Sequence, residues 1–341
     1  MVSNSRICIC AAVALAACFA AIAEDARGLL QRMELALATR NYQGTFVHEH
    51  DGQSETLRIV HRVEGDDYAD RVASLDGSGR EVIRRDGELR AYFPDQRVVL
   101  VESGPRGGLL FTGLLDLDSA AGQIYRLSEE APARISGREA RVLAVEPQDD
   151  LRYGYRVWID ATSAMPLKTQ MRTAAGSVVE QLVFTELTLL ERIPDAALQP
   201  AVATRAYRVL HRAAATEAAP RQAADATWDA ADLPPGFRLI ANSTRLMGDG
   251  RKAVTHLVFS DGLASVSVFV EPQSPAAEGR PRPQVPERMT NLGSSSALST
   301  EMDGHKITVM GEVPPDTVRA IAGSLREGFA PAARPAHEAR R

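Results

Sequence analysis

Ala253-Val254-Thr255-His256-Leu257-Val258-Phe259, then Ser260-Asp261-Gly262, then Leu263-Ala264-Ser265-Val266-Ser267-Val268-Phe269-Val270-Glu271: two β-rich runs meet at an Asp-Gly pair. Asp-Gly between such runs is a strong short-range hairpin signal, because a two-residue turn of the favoured hand needs positive φ at both central residues. Further on, His305 to Gly311 reads as a strand. Pro315 opens a helix with Val318, Ile321, Ala322 and Leu325 at i, i+3, i+4 and i+7. Hairpin, strand and helix make a small mixed α/β domain over 232–328, entered at Leu233-Pro234-Pro235-Gly236-Phe237. It groups no catalytic residues, so the search for function starts with binding.

Upstream, residues 25–40 read as a helix with Leu29, Leu30, Met33 and Leu37 on one stripe. Strands follow from Gly44 to His50 and from Thr56 to Val63, turned at Asp51-Gly52. Further strands are expected at 80–85, 88–93, 96–102, 139–146, 152–160, 166–173 and 177–188, with turns at 76–79, Asp86-Gly87 and Gly176. Residues 41–190 therefore form a large, mostly antiparallel sheet that must cover one apolar face. The first helix and the segment 105–120 are the available lids. Residues 201–231 are Ala-rich and read as a linker, and 329–341 as a disordered tail of Ala, Pro and Arg.

At the N-terminus, Arg6 precedes an apolar run from Ile7 to Ala23, ending in the small-x-small pattern Ala21-Ile22-Ala23. Seventeen residues followed by Glu24 and Asp25 are short for a membrane span, so 1–23 reads as a cleaved export signal. Leu15-Ala16-Ala17-Cys18 equally fits a lipoprotein signal in which Cys18 is acylated. All three cysteines (8, 10 and 18) lie in this segment, which excludes a Cys nucleophile, a Cys zinc site and a disulfide from a chain starting at Glu24. Lysine occurs only at 168, 252 and 306 while Arg and Ala abound, a bias of GC-rich bacterial genomes, so the expected destination is the periplasm. A formal net charge of −5 with scattered arginine excludes the basic stripe of a nucleic-acid binder.

Candidate chemistry is sparse. His48 and His50 share a strand face, with His61 on the next strand, but a metal site needs three or four convergent ligands, and neither metal nor other cofactor is expected. Gly104-Pro105-Arg106-Gly107-Gly108 lacks phosphate-loop spacing, and there is no Gly-x-Ser-x-Gly elbow. Adjacent carboxylates such as Asp149-Asp150 and Glu129-Glu130 nominate no acid–base couple. No enzyme is expected. Leu109, Leu110, Phe111, Leu114 and Leu115 read as core filler under a lid, or as a flap over an apolar groove that admits an acyl chain. The hairpin's apolar face, with Val266 and Val268, offers itself to a partner strand. If that face packs on the C-terminal helix instead, Leu263 and Phe269 opposite are the better contacts.

Three stretches together resemble the MucB/RseB family: Tyr155-Arg156-Val157-Trp158-Ile159-Asp160 with Met165-Pro166-Leu167-Lys168; Leu233-Pro234-Pro235-Gly236-Phe237; and the hairpin with Val309-Met310-Gly311-Glu312-Val313-Pro314. The likeness runs from about Gly28 to Leu325. It implies an α+β fold in which 24–200 form a curved antiparallel half-barrel with helices in its concavity, like periplasmic lipoprotein carriers. It implies that the small domain binds the periplasmic region of a single-span anti-sigma factor, shields it from regulated proteolysis and so represses an envelope-stress sigma factor. A lipopolysaccharide or lipid signal in the large domain would release it, and self-association is expected. The alternative is a periplasmic lipid or lipoprotein carrier, a function that fold alone does not exclude.

Overall fold

In a computed structural model the described residues are 26–65, 67–77, 79–103, 122–212, 227–247, 252–273 and 286–328. The export signal, the Leu109–Leu115 groove, most of the 272–286 loop and the 329–341 tail lie outside them. The chain divides into two compact units, one of Met1–Ala214 with Gly262–Ala264 and Leu292–Ser294, the other of the remaining residues.

The first unit is a 12-stranded sheet, open and curved. Its strands are β1 Asn41–His50, β2 Gln53–Glu64, β3 Asp67–Ser74, β4 Glu81–Arg85, β5 Glu88–Phe93, β6 Val98–Ser103, β7 Tyr125–Ile135, β8 Arg138–Pro147, β9 Gly154–Asp160, β10 Pro166–Arg172, β11 Val178–Leu190 and β12 Arg208–Arg212. The order is β12-β6-β5-β4-β3-β2-β1-β11-β10-β9-β8-β7. Among the described residues its pairings are antiparallel except that of β12 with β6. Asp51 and Gly52, at φ 50° and 71°, and Asp86 and Gly87, at 54° and 73°, are the two-residue turns that their sequences specify. Gly44 answers a different need: a Cβ there would stand 2.5 Å from the Glu186 carbonyl and 2.9 Å from the Phe184 ring, beside the bulge at Thr45/Phe46.

Helix α1, over 26–39, crosses one face of this sheet. Ala26, Leu29, Leu30, Met33, Ala36 and Leu37 form its buried stripe, in one cluster with Phe46, Ile59, Leu143, Val157, Leu167 and Phe184. Each large side chain in that stripe contributes roughly 1.5–3 kcal/mol by leaving water.

The opposite face is covered as well, which the sequence did not lead one to expect. Val60 and Ala69 pack against Ile193 and Leu198, and Ile83, Tyr92, Val99 and Val101 against Val202 and Tyr207. The chain after β11 thus runs along the outer face before adding β12 to the rim. Residues 201–231, expected as linker, accordingly include Arg208–Arg212 of the large sheet at one end. At the other they include Thr227–Ala230 (β13), paired with Leu325–Gly328 (β20).

The second unit is a six-stranded sheet with the order β14-β15-β16-β19-β18-β17. The strands are β14 Arg238–Met247, β15 Lys252–Ser260, β16 Ser265–Pro272, β17 Arg288–Leu292, β18 Ser295–Met302 and β19 His305–Gly311. Helix α2, Pro315–Ser324, packs on β18 and β19. The expected hairpin is β15–β16, with a looser turn than Asp-Gly suggests. Ser260 pairs with Ser265, and of the four residues between them only Gly262 takes positive φ, at 102°.

Candidate functional site

Strand alternation sorts the four residues expected to meet a partner. Val266 and Val268 are wholly buried, 0% exposed, on the face shared with Val309 and Ile307. That face is the one α2 covers, since buried Leu298 opposite Val309 lies on it too. These two valines are core, which corrects their assignment as contacts: an apolar strand face beside an amphipathic helix is buried by that helix first. Leu263 is buried too, at 8% exposure. Phe269 points the other way and is half-buried.

Phe269 and its register partner His256 stack in parallel, ring centroids 4.5 Å apart and planes 1° apart. His256 Nε2 lies 3.1 Å from Ser267 Oγ. By register the same face carries Val258, Thr308 and Met310, the last 45% exposed. At the sheet's edge, β14 bulges between Leu239 and Ala241 and exposes Ile240 to 54%. A half-exposed sheet face with an edge strand that exposes Leu239 and Ile240 beside it can receive an extended segment by main-chain pairing.

In the large unit, register builds two adjacent rows on the face that α1 crosses. Ile59, Val72, Val82, Ala91, Leu100 and Leu210 succeed one another across β2, β3, β4, β5, β6 and β12. Beside this apolar row, Tyr42, His61, Asp70 and Arg84 form a polar one across β1 to β4. His61 Nδ1 is 2.6 Å from Asp70 Oδ1, and the His61 ring stacks on Tyr42 at 4.7 Å. Burial pushes the Tyr42 phenol up, and the negative charge of Asp70 pushes it further. Sequence reasoning set His61 beside His48 and His50 and missed Asp70, because β3 was not read as a strand. The alternation of Tyr68, Asp70 and Val72 with Ala69, Arg71 and Ala73 was the signal available.

His48 and His50 do share a face, with ring centroids 4.9 Å apart. His48 Nε2 is committed to Glu180 Oε1 at 2.7 Å, and that hydrogen bond holds the Glu180 carboxyl below its ordinary range. Among the described residues no three His, Cys, Asp or Glu side chains are grouped to hold a metal ion. Nor, among them, is any helix long and apolar enough to cross a membrane.

The Trp158-Ile159-Asp160 motif is structural. Asp160 Oδ1 accepts from the Ser163 amide at 2.7 Å, the Ser163 hydroxyl at 2.9 Å and the Thr162 amide at 3.1 Å, while Arg138 donates to Oδ2 at 3.3 Å. Burial opposes the charge, but these bonds outweigh it and hold the carboxyl below the ordinary aspartate value. They close the β9–β10 turn, in which Ala164 takes φ 59°.

An open curved sheet crossed by one helix, followed by a smaller sheet backed by another, is also the architecture of solved MucB. The crystal structure of MucB in complex with MucA(peri) superposes with a TM-score of 0.68 at 31% identity, covering 89% of this chain and all of that one. MucB alone gives 0.56 at 30% identity, covering 89% of this chain and 98% of that one. Residues 25–202 match the MucB/RseB N-terminal domain, and 222–326 the MucB/RseB C-terminal domain. The chain belongs to the MucB/RseB family. Among curated relatives, the sigma factor AlgU regulatory protein MucB of Pseudomonas aeruginosa is 33% identical over 309 residues, 89% of this chain and 92% of that protein. The sigma-E factor regulatory protein RseB of Escherichia coli is 27% identical over 310 residues, 89% and 91%.

Proposed function

We propose that this protein is a periplasmic regulator that binds the periplasmic region of a membrane-spanning anti-sigma factor. By holding that region it shields it from regulated proteolysis and so represses an envelope-stress sigma factor. The observation that carries the reading is kinship along both units with MucB, a protein solved in complex with MucA(peri). The open face of the small sheet, centred on Phe269 and His256, is the proposed docking surface, and β14 its proposed strand-pairing edge. The apolar row of the large sheet is the proposed seat of a lipid-type signal that releases the partner. Export through residues 1–23 delivers the protein, either cleaved free or acylated at Cys18, and self-association is part of the proposal.

Titration of the full chain with the periplasmic fragment of the anti-sigma factor encoded in the same genome tests this. Phe269→Ala is expected to weaken binding by about ten- to a hundredfold, the range for losing one aromatic anchor. Thermal stability should change little, because a half-exposed stacked pair contributes only about 0.5–1.5 kcal/mol. No binding by the unaltered chain, or no protection of the fragment from proteolysis, refutes the reading. The apolar row also favours a second reading, a lipid or lipoprotein carrier. Retention of lipoproteins, and of no anti-sigma factor, on the immobilised chain would decide for it.

A further inference from the structure

His61 and Asp70 face each other across β2 and β3, only 6% and 1% exposed. A carboxylate only accepts hydrogen bonds, so the ring donates from Nδ1 to Asp70 and turns Nε2 away from it. That Nε2 and the second carboxylate oxygen, Asp70 Oδ2, are both buried and have no protein partner. Arg84, opposite Asp70 on β4, does not donate to that oxygen. Each buried polar atom left unpaired costs roughly 1–3 kcal/mol. Here two such atoms stand on one pair, beside an apolar row. An anion entering beside the unpaired carboxylate oxygen of Asp70 meets repulsion.

We infer that His61 and Asp70 are a head-group anchor that takes the hydroxyl or ammonium group of an amphiphile whose chain lies along Val72, Val82, Ala91 and Leu100. This deepens the lipid-signal part of the function proposed above and rests on it. The anchor selects a head that donates hydrogen bonds and excludes one that is only a negative charge. A single water bridging the same two atoms is the competing occupant, and it confers no preference among heads.

Calorimetric titration of the full chain with dodecanol, dodecylammonium and laurate below their aggregation concentrations separates these cases. The alcohol and the ammonium are expected to bind at least about tenfold tighter than the carboxylate, the difference one well-made hydrogen bond supplies. Asp70→Asn and His61→Phe, each checked for folding by circular dichroism, should reduce that preference to roughly twofold or less while all three chains still bind. The ranking in the unaltered protein stands as a test even if neither variant folds. Equal binding of the three probes overturns the anchor and leaves the lipid reading intact, with water alone at the pair. Binding of none overturns the lipid reading and the anchor together.

Discussion

Asp160 shows how a motif can mark a family without touching a ligand. Its four accepted hydrogen bonds lock a turn whose Ala164 sits in the left-handed region. Asp160→Ala removes all four acceptances at once; Thr162 is exposed and Ser163 and Arg138 half-exposed, so their donors turn to water and the cost should be about 1–2 kcal/mol in urea unfolding. The pH dependence has a definite sign. Because the folded-state value lies below the unfolded one, Asp160 stabilises fully above the ordinary aspartate value of about 3.9. Its contribution is lost as pH falls through the lower folded value. Stability curves of wild type and Asp160→Ala should therefore converge below about pH 4; a gap that stays constant there contradicts this account. Glu180, lowered chiefly by its bond from His48, adds to the same acid-side loss.

At the scale of elements, turns with Asp-Gly were legible and strands rich in charge were not. Asp51-Gly52 and Asp86-Gly87 announce themselves. Ser136-Gly137 makes an equivalent turn, at φ 47° and 81°, that its residues advertise less. Strand β7 was missed because Tyr125–Ile135 carries Glu129, Glu130, Arg134 and Pro132. A rim strand tolerates all four: its outer main chain has no neighbouring strand among the described residues, and the register slips between Glu130 and Ala133 where the proline falls. Periodicity alone exposed α1, with every expected stripe residue buried in the large cluster. Leu30→Ala there should destabilise the large unit by about 2–5 kcal/mol in denaturant titration. A loss below about 1 kcal/mol would mean that α1 is not part of the folded core.

For the whole molecule, sequence sufficed for two units and for which is the larger, because hydrophobic alternation is local. What it could not supply is pairing between distant segments. Asn41 lies opposite Leu190, and β6 receives β12 in parallel across more than a hundred intervening residues. Nothing local in Arg208–Arg212 marks it as the last strand of a sheet begun at Asn41. The candidate site suffered in the same way: the small-unit face was found on the hairpin, but which side stayed open depended on α2. The pair His61–Asp70 needed a strand that had not been recognised.

An open sheet has two rims where a barrel has none, and each rim is a template on which further chains could stack without limit. Pro132 withholds an amide from one of them and, with the slip beside it, spoils the straight ladder that fibrils need. Pro132→Thr should leave the fold intact yet speed thioflavin-positive fibril growth on agitation; unchanged kinetics would show that the charges of β7 suffice. A sheet left open thus comes with a standing hazard of self-templated growth, and one imino acid holds it in check at that border.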